Sequence, residues 1–452
     1  MRQRSVAVIG SGVAGLTAAY VLSTARDVTL YEADGRLGGH AHTHDVRAPD
    51  GRVVPVDSGF IVHNRRTYPH LLRLFDELDV PTQESEMSMS VRCEGCGLEY
   101  AGARGPAGLF ARPGNALRPR YLRMLTEVVA FRRAARALLA AGAAADAGGG
   151  ARVGAAAPGP AADEGAGVAP EPQADPELTL GEFLRRGRFS AYFTAHYMTP
   201  LVSAVWSCGP ATALRYPARY LFRFLDHHGM LAVGGSPTWR TVTGGSRTYV
   251  DRVAKQLHAV RTGTPVRAVR RAAGGGVEVV AADGGVDRHG AAVIAVHPDQ
   301  ALRLLPDATD TEREVLGAFG YSRNPTLLHT DTAPLPRRRG AAASWNYLMP
   351  SCSADAGQVL VSYHMNRLQR LDAAEDYVVT LNAAERVDPA KVLARMVYEH
   401  PVFTPESVAA QARLPALDDT VIAFAGAYHG WGFHEDGARS GVAAAARLGV
   451  RW

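Results

Sequence analysis

The sequence predicts an α/β fold with more than one domain, and three observations carry that prediction. The chain has 452 residues, which is too long for one simple core. It opens with a strand, a glycine turn, a helix and a second strand, the order of a βαβ unit. Residues 264–296 then show three further strands joined by glycine turns. These segments predict a sheet assembled from distant parts of the chain.

The first βαβ unit carries a glycine motif, with "SVAVIG" as strand, "VAGLTAAYVLS" as helix and "DVTLYEA" as second strand. Gly10 permits the tight turn, Gly12 lets the backbone approach a pyrophosphate, and Gly15 allows close packing of helix on strand. Glu32 follows Gly15 by 17 residues, where a carboxylate bonds ribose hydroxyls. This context predicts a dinucleotide site formed by Gly10, Gly12, Val13, Ala14, Gly15, Glu32 and Ala33.

Composition excludes several classes of protein. Hydrophobic residues make up 47% and charged residues 21%, as in soluble globular proteins, and a net charge of +5 does not indicate nucleic-acid binding. Four cysteines give no disulfide framework at this length, so the cytoplasm is the expected compartment. No apolar run reaches the roughly 18 residues of a membrane-spanning helix.

The stretch "EADGRLGGH" distinguishes between dinucleotides, because a second glycine pair follows the acid. It resembles the E-x(3)-R-x-G-G pattern of the FAD-containing amine oxidase and phytoene desaturase superfamily. The resemblance implies a Rossmann-type FAD-binding domain, similar to those of amine oxidases and glutathione reductase, with a discontinuous second, substrate domain. It also implies that the second turn passes beside the phosphates and ribityl chain. The residues concerned are Arg36, Gly38, Gly39 and His40.

The resemblance continues along the chain in order. "VDSGFIVHN" resembles the segment that approaches the isoalloxazine, "TGGSRTYVDRVAKQL" the segment before a helix, and "TPVRAVRR" the strand that holds adenine. "VIAFAGA" with "HEDGARSGVAAA" resembles the closing segment, whose helix N-terminus faces the flavin pyrimidine. The cofactor contacts implied are Ser58, Gly59, Phe60, Val266, Gly426, Glu435, Asp436 and Gly437, although Glu435 and Asp436 equally suit capping of the last helix.

Three departures from the superfamily pattern bear on chemistry. His40 stands where the family has a phosphate-binding arginine, and Ala427 stands where an acid follows F-A-G. The region "YSRNPTLLHTDTAPLPRRR" lacks the lysine that holds a water near flavin N5 in amine oxidases, and neither Lys255 nor Lys391 is well placed. These departures weigh against simple amine oxidation.

Other strings resemble a subgroup, the bacterial NAD/FAD-binding proteins that occur beside, or fused to, cyclopropane-fatty-acyl-phospholipid synthases. They are "SGFIVHNRRTYP", "WNYLMP", "SYHMNRLQRL", "YEHPVF" and "GAYHGWGFHEDG". The resemblance implies oxidation by hydride transfer to flavin N5 of an unsaturated or methylated acyl chain, with a lipid-modifying methyltransferase as a partner. The alternatives are double-bond isomerisation without net redox change, amine oxidation, and a non-catalytic accessory role.

Catalytic candidates come from the same segments. His434 and Trp431 fall where amine oxidases carry the walls of an aromatic cage, and Tyr428 lies in the same stretch. His63 lies in the isoalloxazine segment, and a histidine at the flavin can act as acid or base near neutral pH. The alternative is that these histidines only hydrogen-bond backbone.

Two further groups of residues have alternative readings. Cys93 and Cys96 could bind zinc, form a redox pair or simply flank a hairpin turn. The plain turn is favoured and no metal is expected, because a structural zinc needs four ligands and the other cysteines are distant single residues. Aromatic residues could line an apolar tunnel or form ordinary core; they are Trp206, Trp239, Trp345, Tyr347, Tyr363 and the run near Phe222.

The predicted domains are discontinuous. Residues 1–75, 239–299 and 416–452 form the FAD-binding domain, residues 76–238 and 300–415 form the substrate domain, and the active site lies between them. The Ala-, Gly- and Pro-rich residues 141–177 are predicted to be a disordered insertion. Residues 118–140 are predicted to be a basic amphipathic helix, packed by its apolar face or resting on a membrane surface.

Overall fold

A computed structural model describes residues 4–149, 178–232, 236–353 and 357–452, with only the backbone described at 143–149. The strands, in chain order, are β1 Ser5–Ile9, β2 Asp27–Tyr31, β3 Thr43–Arg47, β4 Val53–Asp57, β5 Val62–Asn64, β6 Thr82–Glu84, β7 Met89–Cys93, β8 Glu99–Ala101, β9 Trp239–Val242, β10 Ala259–Arg261, β11 Val266–Arg271, β12 Val277–Ala281, β13 Val286–His289, β14 Ala291–Ile294, β15 Gly320–His329, β16 Trp345–Met349, β17 Val361–His364, β18 Val378–Leu381, β19 Val392–Val402 and β20 Ile422–Phe424.

The helices, in chain order, are α1 Val13–Ser23, α2 Pro69–Glu77, α3 Gly105–Leu109, α4 Pro119–Gly149, α5 Leu180–Arg186, α6 Ala191–Phe193, α7 Thr199–Trp206, α8 Pro210–Arg215, α9 Ala218–His227, α10 Arg247–Ala254, α11 Pro298–Leu304, α12 Asp310–Gly317, α13 Met365–Leu368, α14 Pro405–Gln411 and α15 His434–Arg447. A π-helical turn, Thr194–Met198, joins α6 to α7.

A parallel sheet of five strands in the order β10-β2-β1-β14-β20 forms the first layer. Its central strands β1 and β14 are apolar and almost entirely buried, as expected of a sheet covered on both faces. Helices α1 and α15 pack closely, because a Cβ at Gly441 would lie 2.4 Å from the carbonyl oxygen of Ala14. The sheet therefore draws strands from widely separated segments, and this confirms the predicted α/β fold class.

The second layer is a mixed sheet of seven strands in the order β19-β15-β18-β17-β16-β7-β8, in which β16 and β7 are parallel. Helices α4 to α9 pack together with one face of this sheet through a cluster rich in buried aromatic residues. Three smaller sheets, β11-β12-β13, β3-β4 and β5-β9-β6, complete the strands.

The local predictions have mixed outcomes. Helix α4 confirms the helix expected at 118–140, but its backbone continues to Gly149, into the segment predicted to be disordered; residues 150–177 lie outside the described residues. Residues 264–296 hold four strands, β11 to β14, rather than three, because β14 leaves the hairpins and joins the parallel sheet. Among the described helices, none combines the length and apolar character needed to cross a membrane. The domain boundaries stay predictions.

Candidate active site

A cleft of about 1040 Å³ runs from the carboxyl ends of the parallel strands to the region between the two large sheets. Ligands of open α/β sheets bind at this edge, where the loops after the strands converge. The lining begins at Gly10 after β1, Glu32 after β2 and Ala295 after β14, and it ends at Trp206, Trp345 and Phe433. We call the first part the nucleotide end and the second part the aromatic chamber.

The glycine turn at the nucleotide end is built as its motif requires. Gly10 has φ +98°, and a Cβ there would lie 2.7 Å from the carbonyl oxygen of Ala295. A Cβ at Gly15 would lie 1.9 Å from the carbonyl oxygen of Gly10, so only glycine lets the helix start so close to the strand. Gly12, in contrast, has nothing within 4 Å of its Cβ position and lines the cleft. The open space at Gly12 is the place that a pyrophosphate fits.

The second glycine pair lies against the first turn. A Cβ at Gly39 would approach the Cα of Gly12 to 3.2 Å, and the backbone N–H of Gly38 donates to the carbonyl oxygen of Ser11 at 3.1 Å. His40 follows, with its Nε2 buried and without a protein partner. Burial lowers the pKa of His40 well below its usual value, so the ring is uncharged at neutral pH. His40 therefore offers a hydrogen bond here, whereas the family's arginine offers a charge.

Glu32 lines the cleft, but its carboxylate also holds the turn. Oε2 accepts hydrogen bonds from the backbone N–H and the hydroxyl of Ser11, and Oε1 accepts from the N–H of Asp34 at 2.9 Å. Val266 lines the same part of the cleft. Ser11 was missed by sequence reasoning, because it occupies a variable position of the glycine motif.

The segment at Gly59 approaches the cleft for a steric reason. A Cβ at Gly59 would lie 2.1 Å from the carbonyl oxygen of His40, so glycine brings the two loops together. The preceding Asp57 is fully buried and accepts hydrogen bonds from Thr43, Ser246 and Gln369. Burial raises the pKa of Asp57 to about 6. Asp57 thus joins three segments behind the cleft, a role that its sequence context did not reveal.

Most predicted site residues line the cleft, and seven do not. Those that line it are Gly10, Gly12, Val13, Ala14, Glu32, Ala33, Arg36, Gly39, His40, Ser58, Gly59, Phe60, Val266, Gly426, Tyr428 and His434. Those that lie outside the lining are Gly15, Gly38, His63, Trp431, Glu435, Asp436 and Gly437. Gly15 and Gly38 act through the turn geometry described above.

The last three of these residues along the chain, Glu435, Asp436 and Gly437, make contacts within the protein. The Asp436 carboxylate accepts from the N–H of Phe433 at 3.0 Å and so caps α15. Glu435 accepts from the N–H groups of His70 and Leu71, at the start of α2. Gly437 faces Val13, whose Cγ1 would lie 2.5 Å from a Cβ. The capping alternative is supported for Asp436, and the cofactor contacts of Glu435, Asp436 and Gly437 stay predictions.

The four catalytic candidates are placed differently. The ring of His434 stacks on Phe60 at 3.5 Å between centroids, and its Nε2 lies 3.3 Å from the Tyr249 hydroxyl. Tyr428 lines the cleft with its hydroxyl buried and without a partner. His63 lies behind Phe60 and faces Phe75, with centroids 5.3 Å apart. Burial lowers the pKa of His434 to about 3 and that of His63 to about 4.

Trp431 lies outside the lining of the cleft, although its position in the sequence predicts a wall. Its carbonyl oxygen accepts from Trp206 Nε1 at 3.0 Å, and its ring packs beside His227 on α9. Phe433 lines the cleft in its place and stacks on Phe224 at 4.8 Å. Sequence reasoning missed Phe433 because the segment turns at Gly432, whose φ is +92°. The catalytic roles of Trp431, Tyr428, His63 and His434 stay predictions.

The aromatic chamber combines side chains from five elements, the turn after α9 and the loop before α15. Its walls are Trp206, Phe224, Met230, Trp239, Trp345, Tyr363 and Phe433, all uncharged. Both interpretations of the aromatic residues, tunnel lining and ordinary core, hold in part. The chamber residues line the cleft, whereas Tyr347 and Phe222 are core residues. No lysine belongs to the described lining of the cleft. Lys391 pairs with Asp331 at 3.4 Å and lies outside the lining of the cleft.

Comparisons with known proteins agree with this architecture. Residues 13–449 match the family model described as flavin containing amine oxidoreductase. A CLA-producing fatty acid isomerase from P. acnes is similar over 100% of both chains, with a TM-score of 0.67 and 16% identity. A cyclohexylamine oxidase from Brevibacterium oxydans IH-35A has a TM-score of 0.64 and 15% identity, over 99% of this chain and 98% of that chain. A wild-type putrescine oxidase bound to putrescine has a TM-score of 0.63 and 17% identity over 98% of each chain. No curated protein matches significantly.

Proposed function

Since the chain belongs to the family of flavin-containing amine oxidoreductases, we propose that this FAD-dependent oxidoreductase acts on an apolar, acyl-like carbon chain held in the aromatic chamber. The observation that carries the proposal is the chemistry of the chamber, whose walls are aromatic or aliphatic and uncharged. An apolar chain gains free energy by leaving water for such a surface, at roughly 25 cal/mol per Å².

The neighbouring polar groups favour a neutral substrate. Burial lowers the pKa of His228 to about 4, so this histidine of the lining is uncharged at neutral pH. His434 is likewise neutral and already bonded to Tyr249. An ammonium group transferred from water to this chamber would find no carboxylate among the walls named above, which makes binding of a cation costly.

The chain's own residues divide the work by position. The glycine turn and the N-terminus of α1 would hold the phosphates of FAD, and Glu32 and Val266 would hold its nucleoside part, since all of them line the cleft. FAD, when bound, supplies a hydride acceptor. The N-terminus of α15 presents the positive end of its dipole to the cleft through Phe433 and His434. The chamber walls exclude water from the reacting carbon.

Anaerobic mixing tests the proposal directly. The oxidised holoenzyme is mixed with unsaturated, methylated and cyclopropane-bearing acyl lipids, and with primary amines, while the flavin absorbance near its visible maximum is followed. We expect an acyl lipid to bleach the flavin and amines to leave it unchanged. Bleaching by amines alone would overturn the acyl assignment.

The second candidate function is double-bond isomerisation without net redox change. The fatty acid isomerase named above aligns over the whole of both chains, although at 16% identity the likeness reports the fold alone. Product analysis with an oxygen electrode separates the two functions. Isomerisation yields a product of unchanged mass with no oxygen consumption, whereas oxidation yields a product two hydrogens lighter.

The third function is a flavin-bearing accessory of a lipid-modifying methyltransferase. It predicts that the partner's activity depends on the presence of this protein but not on its flavin. The test measures the methyltransferase activity of the partner alone, with the wild-type protein added, and with a flavin-free Gly12→Val variant added. If the variant supports the partner as well as the wild type does, while the wild type turns over no acyl lipid, the accessory role replaces the enzymatic one.

A further inference from the structure

Four metal-ligating side chains meet at one place outside the cleft. The Sγ atoms of Cys93, Cys96 and Cys352 and a ring nitrogen of His196 all lie within 4.8 Å of one another. The three cysteines are free thiols. Sequence spacing favoured a plain turn at Cys93 and Cys96 because no further ligands stood nearby. The fold supplies them from 100 and 259 residues away.

Sheet register brings the three thiols together. Cys93 ends β7 and pairs with Met349 at the end of the parallel strand β16, so the loop after β16 starts beside it. A Cβ at Gly95 would lie 2.9 Å from the backbone N of Cys352, so glycine lets that loop approach the turn. Gly97, with φ +67°, reverses the chain directly after Cys96. The turn geometry therefore directs both of its thiols at Cys352.

His196 is oriented as a metal ligand. Its Nδ1 lies 3.2 Å from the carbonyl oxygen of Tyr192, a group that only accepts, so Nδ1 carries the proton. Nε2 is then left with its lone pair, 3.7 Å from the Sγ of Cys96. The ring stacks on Tyr192 at 4.0 Å, and the Tyr100 hydroxyl donates to the backbone carbonyl of His196. Outer contacts of this kind fix the tautomer of metal-bound histidines.

Two of the separations between ligand atoms, Cys93 Sγ to Cys352 Sγ and Cys96 Sγ to His196 Nε2, are both 3.7 Å and match those of a tetrahedral site. Zinc–sulfur bonds of about 2.3 Å place two thiolates of a tetrahedron roughly 3.7 to 3.8 Å apart. The Sγ atoms of Cys93 and Cys352 lie 3.7 Å apart, well beyond the bond length of about 2.05 Å in a disulfide. We propose that Cys93, Cys96, His196 and Cys352 bind one structural zinc ion. Three thiolates and one imidazole close the site and select zinc, and binding releases the three thiol protons.

The site joins the walls of the aromatic chamber. His196 lies ten residues before Trp206 on the same helical run, and Cys352 lies seven residues after Trp345 on β16. A zinc ion would therefore fix the helical layer to the seven-stranded sheet at a point remote from the reacting groups. It would support the shape of the chamber and take no part in the reaction.

Metal analysis of the full-length holoenzyme, purified under reducing conditions without chelator, tests the proposal. We expect one zinc per chain by mass spectrometry of the metal, and exchange with Co²⁺ should give thiolate charge-transfer bands and the visible bands of tetrahedral cobalt. A reduced wild-type protein that contains no zinc, and takes up neither Zn²⁺ nor Co²⁺, would overturn it. So would a Cys93–Cys352 disulfide formed without metal.

Variants provide the matched comparison. Cys352→Ser changes the most exposed ligand and should weaken zinc binding at least about tenfold and remove about a third of the cobalt charge-transfer intensity. Cys208→Ala, at a buried cysteine outside the cluster, should retain one zinc and the full spectrum. Equal loss of metal in both variants would contradict the assignment. Should Cys352→Ser not fold, the wild-type cobalt spectrum still decides.

Discussion

The nucleotide end and the aromatic chamber of the cleft are built in opposite ways. The nucleotide end is made of backbone, where Gly10, Gly12 and Gly39 bring main chain to the ligand. The chamber is made of large side chains such as Trp206 and Phe433, delivered by elements far apart in the chain. An added side chain at Gly10 would meet backbone and one at Gly12 would occupy the open space for the pyrophosphate, whereas the side-chain-built end can change its shape by substitution. We therefore expect substitutions to alter substrate choice more readily than cofactor choice.

The largest expected effect comes from filling the open face of the glycine turn. Gly12→Val places a branched side chain where the pyrophosphate fits, and we expect FAD affinity to fall at least about 100-fold. Flavin per chain in the purified protein, measured by absorbance after denaturation, reports it. Gly114→Val is the control, since its Cβ also meets nothing within 4 Å but lies outside the cleft. Normal flavin content in Gly12→Val would break the comparison.

The next effect concerns a buried histidine between the two regions. His63 has a pKa of about 4 in the folded protein against about 6.5 in the unfolded chain, so unfolding takes up a proton between these values. Through this histidine, the free energy of unfolding is highest above pH 6.5 and falls by roughly 3 kcal/mol as the pH drops from 6.5 to 4. His63→Leu should reduce the acid dependence of the melting temperature by the share of this one histidine, while other buried histidines such as His434 and His228 keep theirs.

The exposed His258 provides the control for that measurement. His258→Gln should leave the slope of melting temperature against pH between 6.5 and 4 as in the wild type. An unchanged slope in His63→Leu would mean that this histidine already carries its proton in the folded state. It would then be a charged group directly behind Phe60.

A smaller effect is expected in the chamber. Phe433→Leu removes aromatic surface from the wall and should weaken binding of a long acyl ligand by about 1 to 2 kcal/mol, or 5- to 30-fold, without loss of flavin. Titration of the holoenzyme with a fluorescent fatty acid measures this. Trp431→Phe is the matched variant, because Trp431 lies outside the lining and should leave the affinity unchanged. The reverse ranking would restore Trp431 as a wall.

The smallest effect is expected at Glu32. Glu32→Gln keeps the shape of the side chain but weakens charge-assisted bonds to Ser11 and Asp34, so FAD affinity should fall only about 3- to 10-fold. Calorimetric titration of the apoprotein with FAD measures it. A loss as large as that of Gly12→Val would show that the carboxylate, rather than the backbone, dominates this end.

The same contrast explains what the sequence could predict. The spacing of Gly10, Gly12 and Gly15 encodes a local backbone path, so the nucleotide end follows from a short string. Phe433 and Trp206 meet only through tertiary packing, which a pattern of neighbours along the chain does not contain. Cys352 likewise reaches Cys93 through the pairing of β7 with β16, and His196 reaches it through packing of the helical layer on that sheet. The contact of Glu435 with α2 depends on the packing of α15 against α2, which the sequence pattern also does not contain.

The parallel sheet has a consequence for biosynthesis. Its edge strand β20 and the helix α15 are translated more than four hundred residues after β1, yet Gly426, Phe433 and His434 line the same cleft as Gly10. A nascent chain that stops before β20 therefore exposes the apolar edge of β14 and lacks one side of the cleft. We therefore expect flavin to bind only after this last segment has left the ribosome, and we expect the nascent chain to expose an apolar, aggregation-prone surface until then.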